Sequence, residues 1–112
     1  MNPPEGDKCF LLFVTSGSED EARAIGDAVV NQRLASAAQL DGPVESIFWW
    51  RGQVQRAMEW RCTVFTTADA LDAVEDQIRS IHAYEVPQII AVEIAAGHAP
   101  FLAWMAAEVT PS

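Results

Sequence analysis

Basic side chains are scarce in this sequence of 112 residues. Seven lysines and arginines stand against sixteen aspartates and glutamates, which gives a formal net charge of −9 at pH 7 and an isoelectric point near 4.4. Nucleic acids and anionic membranes are bound through basic surfaces, whose charges replace the counterions of the phosphates. The composition therefore argues against both classes of partner.

Long apolar runs and a targeting signal are missing as well. The longest unbroken apolar run, residues 101–107, is much shorter than the ~20 residues that cross a bilayer as a helix. The initial segment MNPPEGDK has neither the basic part nor the apolar part of a secretory signal. We therefore expect a cytoplasmic protein.

Cysteine occurs only at positions 9 and 62. Cys9 and Cys62 both lie in strand-like segments and have no C-x-x-C spacing, so the sequence contains no paired cysteine ligand set. This pattern is typical of reduced core thiols in a cytoplasmic protein, and a disulfide between the two is the alternative.

Catalytic motifs are also absent. The sequence has no G-x-S-x-G, no glycine-rich phosphate loop and no H-E-x-x-H. A nucleophile, a base and an orienting group cannot be assembled from it, so we predict that the chain is not an enzyme.

The hydrophobic pattern indicates one domain that alternates strands with helices. Strand patterns cover residues 8–15, 34–50 with a bend at positions 41–43, 53–67 and 89–94. Helical patterns follow a capping box at Ser18 and Glu21, a second cap at Thr66 or Thr67, and Pro100. We expect residues 1–7 to be a flexible tail and residues 8–112 to form an α+β domain. Its β-α-β-β-α-β order, antiparallel sheet and last helix match a ferredoxin-like sandwich.

The segment 44–67 is the most informative part of the chain, because it is a long β-hairpin that carries three of the four tryptophans: Trp49, Trp50 and Trp60. Its turn lies at Arg51-Gly52. Gly52 can supply the positive φ that either a two-residue loop or a type I turn with a G1 bulge needs, and the arginine at the first loop position favours the bulged form.

Both faces of the strand before this turn are apolar. Ile47 and Trp49 point to one face, whereas Phe48 and Trp50 point to the other. A chain of this size has difficulty covering two such faces by itself. We therefore predict contact with another subunit.

Two ionisable residues are candidates for a functional or a structural role. His82 ends the second helix and begins the compact segment HAYEVP, where a structural or exposed histidine is the common case. Glu59 is expected to face solvent from its strand, or to pair with Arg56 or Arg61.

Several of these residues together resemble the CutA divalent-cation tolerance family. The resemblance extends from about residue 9 to residue 104, and it rests on the following residues: Leu34-Ala35, the hairpin segment SIFWWRG, Glu59, Thr66, His82-x-Tyr84-x-x-Pro87 and Phe101-Leu102-x-Trp104. The resemblance implies ferredoxin-like subunits in a cytoplasmic homotrimer, similar to the PII signalling proteins, with hairpins that pack around one another. It also implies an association with copper and other divalent metal ions and no established enzymatic reaction.

The sequence departs from the family pattern at positions that bear on a pocket. Phe65 replaces a family lysine, Gln88 a glutamate and Ala37 a cysteine. If the family lysine and glutamate face each other in the intersubunit cleft, losing one of them would cost roughly 3–5 kcal/mol, whereas losing both can be nearly neutral. Losing the cysteine removes a soft ligand for Cu(I). These changes fit a retained fold with an altered intersubunit pocket.

Three functions follow as hypotheses. The first is a non-enzymatic trimer with a role in copper and divalent-cation homeostasis, which binds Cu or Zn through His82 and nearby acidic or thiol groups. The second is a PII-like regulatory trimer that binds a small uncharged or aromatic ligand in an intersubunit cleft lined by Trp50, Phe65, His82, Tyr84 and Gln88. The third is a structural oligomeric scaffold. In each case we expect the subunit contacts to involve Phe48, Trp49, Trp50 and Trp60.

Overall fold

A computed structural model describes residues 5–111 of the chain. Its helices and strands are β1 (Cys9–Ser16), α1 (Glu19–Asn31), β2 (Ala37–Trp50), β3 (Gln53–Thr67), α2 (Leu71–Ile81), β4 (Ile89–Glu93) and α3 (Ala99–Glu108). The strands form one sheet in the order β2-β3-β1-β4, and every neighbouring pair is antiparallel. The predicted ferredoxin-like arrangement is confirmed.

The core lies between the sheet and the first two helices. Leu12 and Val14 of β1 and Val64 of β3 point towards Ile25 of α1 and Ile78 of α2, and all five side chains are buried. Apolar residues alternate along the strands and recur at helical spacing in the helices. The apolar side chains of both therefore meet in one core. The two cysteines also lie inside the protein as free thiols.

Local capping differs from the sequence prediction in two places. Ser18 caps α1 and accepts a hydrogen bond from the Glu21 amide at 3.1 Å, as predicted. The Glu21 carboxylate instead accepts from the amide of Ala83, so the capping box is half formed. Before α2, a 3-10 turn at Ala68–Ala70 takes the place of a threonine cap.

The hairpin extends beyond the rest of the sheet. The pairing of β1 with β3 ends at Ser16 opposite Trp60, so residues 44–59 continue as a two-stranded ribbon. Seven residues of each strand span roughly 23 Å. The predicted bend is confirmed as a register shift between Asp41 and Val44, where a Cβ on Gly42 would lie 2.8 Å from Cδ1 of Trp60.

The turn of the hairpin differs from the prediction. Trp50 pairs directly with Gln53, and both loop residues have positive φ, 51° at Arg51 and 79° at Gly52. This is the geometry of a two-residue type I′ loop, so the two-residue alternative forms and the favoured bulged turn is wrong. The Arg51 side chain forms an exposed ion pair with Glu85 at 3.1 Å.

The predicted tail of residues 1–7 lies partly outside the described residues. Within them, Glu5–Asp7 forms a short 3-10 turn. Among residues 5–111, no helix is long and apolar enough to span a membrane.

Candidate ligand cleft beside the hairpin

A cleft of about 850 Å³ opens between the hairpin and the segment that connects α2 to β4. This volume is in the range of clefts that hold small molecules. Its walls combine apolar, polar and ionisable side chains: Thr15, Ser46, Ile47, Phe48, Trp50, Gln55, Arg56, Ala57, Glu59, Ala83, Tyr84, Glu85, Val86 and Gln88.

Glu59 and Tyr84 join the two sides of this cleft. The Tyr84 hydroxyl donates a hydrogen bond of 2.8 Å to Glu59 Oε2, and Glu59 is only 6% exposed. The prediction that Glu59 faces solvent or pairs with an arginine is therefore wrong. Arg61 instead contacts Asp41, its direct partner on the neighbouring strand, and Arg56 contacts Glu45, which is diagonal to it across the ribbon.

His82 fixes the start of the connecting segment. Its side chain is fully buried, and Nε2 donates a hydrogen bond of 2.6 Å to the Thr15 carbonyl. Nδ1 accepts from the Tyr84 amide at 3.1 Å, which assigns the neutral tautomer with the proton on Nε2. The ring also lies against Tyr84, with 4.8 Å between the centroids. His82 thus positions Tyr84 for its contact with Glu59.

Glu21 approaches the same histidine from α1. Its Oε2 accepts from the Ala83 amide at 3.1 Å, whereas Oε1 is buried, has no hydrogen-bond partner and lies 3.5 Å from His82 Nδ1. The sequence pattern predicts only a helix-capping role for Glu21. The capping pattern cannot reveal this second contact, because Ala83 is 62 residues further along the chain.

The predicted ligand residues are only partly brought together. Trp50, Tyr84 and Gln88 line the cleft, and His82 lies directly behind Tyr84. Phe65 does not line it. It is six residues from Glu59 on the same strand, roughly 20 Å away, and packs edge-on against Phe101 of α3 at 6.3 Å.

The residues that are predicted to contact another subunit do not share one surface of the chain. Trp49 is 74% exposed on one face of the ribbon, while Phe48 and Trp50 line the cleft on the other face. Trp60 lies over the bend at Gly42 and is partly buried within the chain.

A complete metal site is not formed by the described residues of the single chain. Among residues 5–111, no group of three or more histidine, cysteine and acidic side chains is placed to hold a metal ion. His82 and Glu21 provide one nitrogen and one carboxylate, and the buried, unpartnered Glu21 Oε1 is suited to a cation. Both nitrogens of His82 are engaged, so binding there requires the Tyr84 amide contact to open.

Tyr84 should titrate at unusually high pH. Burial of the hydroxyl, its hydrogen bond to Glu59 and the charges of Glu59 and Glu21 raise the pKa of Tyr84 to about 12. Because the folded pKa exceeds the ordinary value near 10, the resulting contribution to stability is present below pH 10 and is lost as the pH rises to 12. Tyr84 is the only tyrosine, so absorbance at 295 nm follows it alone.

We therefore expect the native, metal-free protein to show a tyrosinate midpoint near pH 12, and the chain in denaturant to show one near pH 10. Glu59→Gln should lower the native midpoint, since it removes one of the two charges. A native midpoint at the ordinary value would show that the Glu59 contact does not form.

Known proteins share both the sequence pattern and the fold. The profile of the family described as CutA1 divalent ion tolerance protein matches residues 10–108. The chain belongs to this family. The suspected resemblance is thereby confirmed, and the family is not one of known enzymes.

Relatives of this CutA family member differ in length. The divalent-cation tolerance protein CutA of Thermus thermophilus is 34% identical over 95 residues, which cover 85% of this chain and 92% of the relative. Protein CutA of Homo sapiens is 36% identical over 93 residues, 83% of this chain and 52% of the human protein. The chain spans about half the length of several such relatives. The match covers 54% of the chloroplastic CutA 1 of Oryza sativa, for example.

Solved structures agree with the fold. The divalent cation tolerance protein (Cut A1) from Thermus thermophilus is similar with a TM-score of 0.89 and 31% identity, covering 91% of this chain and 99% of that one. CutA1 from a psychrotrophic Shewanella species is similar with a TM-score of 0.88 and 32% identity, covering 99% and 100% of the two chains.

Proposed function

We propose that this CutA family member acts as a non-enzymatic homotrimer in divalent-cation tolerance, with copper or zinc as the metal. Family membership supports the relation to divalent cations. The two free, buried cysteines are typical of a reducing compartment, so we propose a cytoplasmic location.

The exposed hairpin carries the proposal of an oligomer. Ile47, Trp49, Val54 and Met58 lie together on one face of the ribbon and are each at least half exposed. Ile90 and Val92 of β4 are about half exposed as well. A two-stranded ribbon is marginally stable in water, and apolar surface of this extent marks a protein contact. The family resemblance favours three subunits.

Metal binding is proposed at His82 and Glu21. A neutral imidazole and a carboxylate suit Cu²⁺ and Zn²⁺, and Glu21 Oε1 has no other partner. Calorimetric titration of each ion should give saturable binding, and Glu21→Gln should weaken it by about tenfold or more, since it removes the anionic ligand. The variant keeps an oxygen for the Ala83 amide, so the fold is preserved.

Glu19→Gln is the matched control, because Glu19 is an exposed residue of the same helix with its own arginine partner, Arg23. Its metal affinity should equal that of the unchanged protein. Equal affinity in Glu21→Gln would place the metal elsewhere, and no saturable binding of either ion would remove the metal role.

The cleft favours a second function, that of a PII-like trimer that responds to a small ligand. Its volume and aromatic walls suit such a role better than that of a passive scaffold. Glu59 lines this cleft, so the ligand that we propose for it carries a charge, whereas the sequence predicts a small uncharged or aromatic ligand in a cleft between subunits.

A further inference from the structure

Glu59 is the one acidic group in the cleft that lacks a cationic partner among residues 5–111. It lines the cleft, is only 6% exposed, and has only the Tyr84 hydroxyl as hydrogen-bond partner. A hydroxyl satisfies one oxygen but does not neutralise a charge. A buried acidic group in this state is stabilised by any cation that enters the cleft.

The other charges of the cleft are already paired. Arg56 contacts Glu45 at 3.1 Å, and Glu85 contacts Arg51 at 3.1 Å. Neither pair therefore offers a free charge to a ligand. The electrostatic preference of the cleft is set by Glu59, in a protein whose net charge of −9 attracts cations in general.

The walls of the cleft are suited to an organic body. Phe48, Trp50 and Tyr84 are each 38–39% exposed, and they supply aromatic surface in the cleft that Glu59 also lines. The guanidinium of Arg51 already lies 5.6 Å from the centre of the Trp50 ring. This contact shows that the Trp50 ring can pair with a planar cation, although Arg51 itself does not line the cleft.

We infer that the cleft binds a small organic cation, in which an ammonium or guanidinium group contacts Glu59 and an apolar or aromatic body contacts Phe48, Trp50 and Tyr84. This inference rests on the ligand-binding function and not on the metal role. A metal ion is a poorer match, because one carboxylate with neighbouring hydroxyl and amide groups supplies too little charge for a divalent ion, whereas one ammonium balances one carboxylate.

The test compares ligands that differ only in charge. 2-Phenylethylamine and 2-phenylethanol share a carbon skeleton, so we would titrate both into the full-length protein by calorimetry, with EDTA present to exclude metals. The amine should bind saturably, and the alcohol at least about tenfold more weakly, because only the amine forms a charge-assisted hydrogen bond with Glu59. This comparison needs no variant. Equal affinities, or no binding of the amine, would overturn the inference.

Glu59→Gln then locates the site. The glutamine retains an oxygen for the Tyr84 hydroxyl but not the charge, so amine affinity should fall by about tenfold or more. Glu75→Gln changes the net charge equally at an exposed position on α2 and should leave the affinity unchanged. An equal loss in both variants, or no loss in Glu59→Gln, would contradict a contact with Glu59.

Failure of this inference and failure of the metal proposal give different results. Glu21→Gln reports on the metal and Glu59→Gln on the amine, and the amine titration is carried out without metal. If the amine does not bind and Glu59→Gln weakens the assembly in light scattering, the cation would come from a neighbouring subunit, which would overturn the small-ligand inference.

Discussion

Replacing Trp49 by glutamate should convert the assembled protein to monomers. Trp49 is 74% exposed in the isolated chain and shares its ribbon face with Ile47, Val54 and Met58. A tryptophan at the centre of an interface contributes about 2 kcal/mol or more, and a buried glutamate without a partner adds a further cost. Each subunit of a trimer would lose this contribution. The dissociation constant should therefore rise more than ~30-fold per contact.

Multi-angle light scattering at several protein concentrations measures this change. The unchanged protein should have about three times the chain mass of 12.3 kDa, and Trp49→Glu should have the chain mass alone at low concentration. Val30→Glu is the matched control, because Val30 is an exposed apolar residue on α1, away from the ribbon. It should remain a trimer. A Trp49→Glu protein that stays trimeric at the lowest concentration would remove the hairpin from the interface.

The structure also refines which tryptophan tests the assembly. The sequence pattern treats Trp49 and Trp50 alike, because both are apolar and adjacent to the turn. Trp50 lines the cleft, and its ring contacts the Arg51 guanidinium. Trp50→Ala would therefore change ligand binding and the turn together. Trp49 has no such role within the chain, which makes its replacement a cleaner measure of subunit contact.

The fold was predictable because its elements have local causes. Alternation of apolar and polar residues specifies the strands, helical spacing specifies α1 and α2, and Ser18 specifies where α1 begins. The bend at Gly42-Pro43 follows from residues that interrupt a strand pattern. The turn type was not predictable by the same means, because Arg51 adopts a positive φ that a non-glycine residue rarely takes.

The candidate site was less predictable, because it is formed by long-range contacts. Tyr84 was identified from its motif, but its partner Glu59 was assigned to solvent, since a glutamate in an alternating strand normally faces water. The segment between α2 and β4 covers Glu59, and no pattern in a single sequence reveals that this segment lies against it. Phe65 is predicted in a cleft between subunits because it replaces a family lysine. A motif position does not reveal which side chains surround a residue, and within one chain Phe65 packs against Phe101.

Replacing His82 by alanine should have the largest effect on the stability of the subunit. The fully buried ring connects the Thr15 carbonyl of β1 to the Tyr84 amide. Its removal leaves the buried Thr15 carbonyl and the partly buried Tyr84 amide without this partner, at about 1–3 kcal/mol for a fully buried group, and opens a cavity. We expect a decrease of about 3–4 kcal/mol in the free energy of unfolding.

Urea unfolding followed by tryptophan fluorescence measures this decrease as a lower midpoint. His98→Ala is the matched control, because His98 is exposed and makes no side-chain cap contact with α3, so its replacement should change stability by less than ~0.5 kcal/mol. Equal midpoints for the two variants would mean that His82 does not hold the segment.

The same segment positions Tyr84 against Glu59, so a correct prediction also implies that His82→Ala loses the amine site without any direct contact to the amine. A loss of metal binding in this variant therefore does not by itself identify His82 as a ligand, and Glu21→Gln is the variant that tests the metal site.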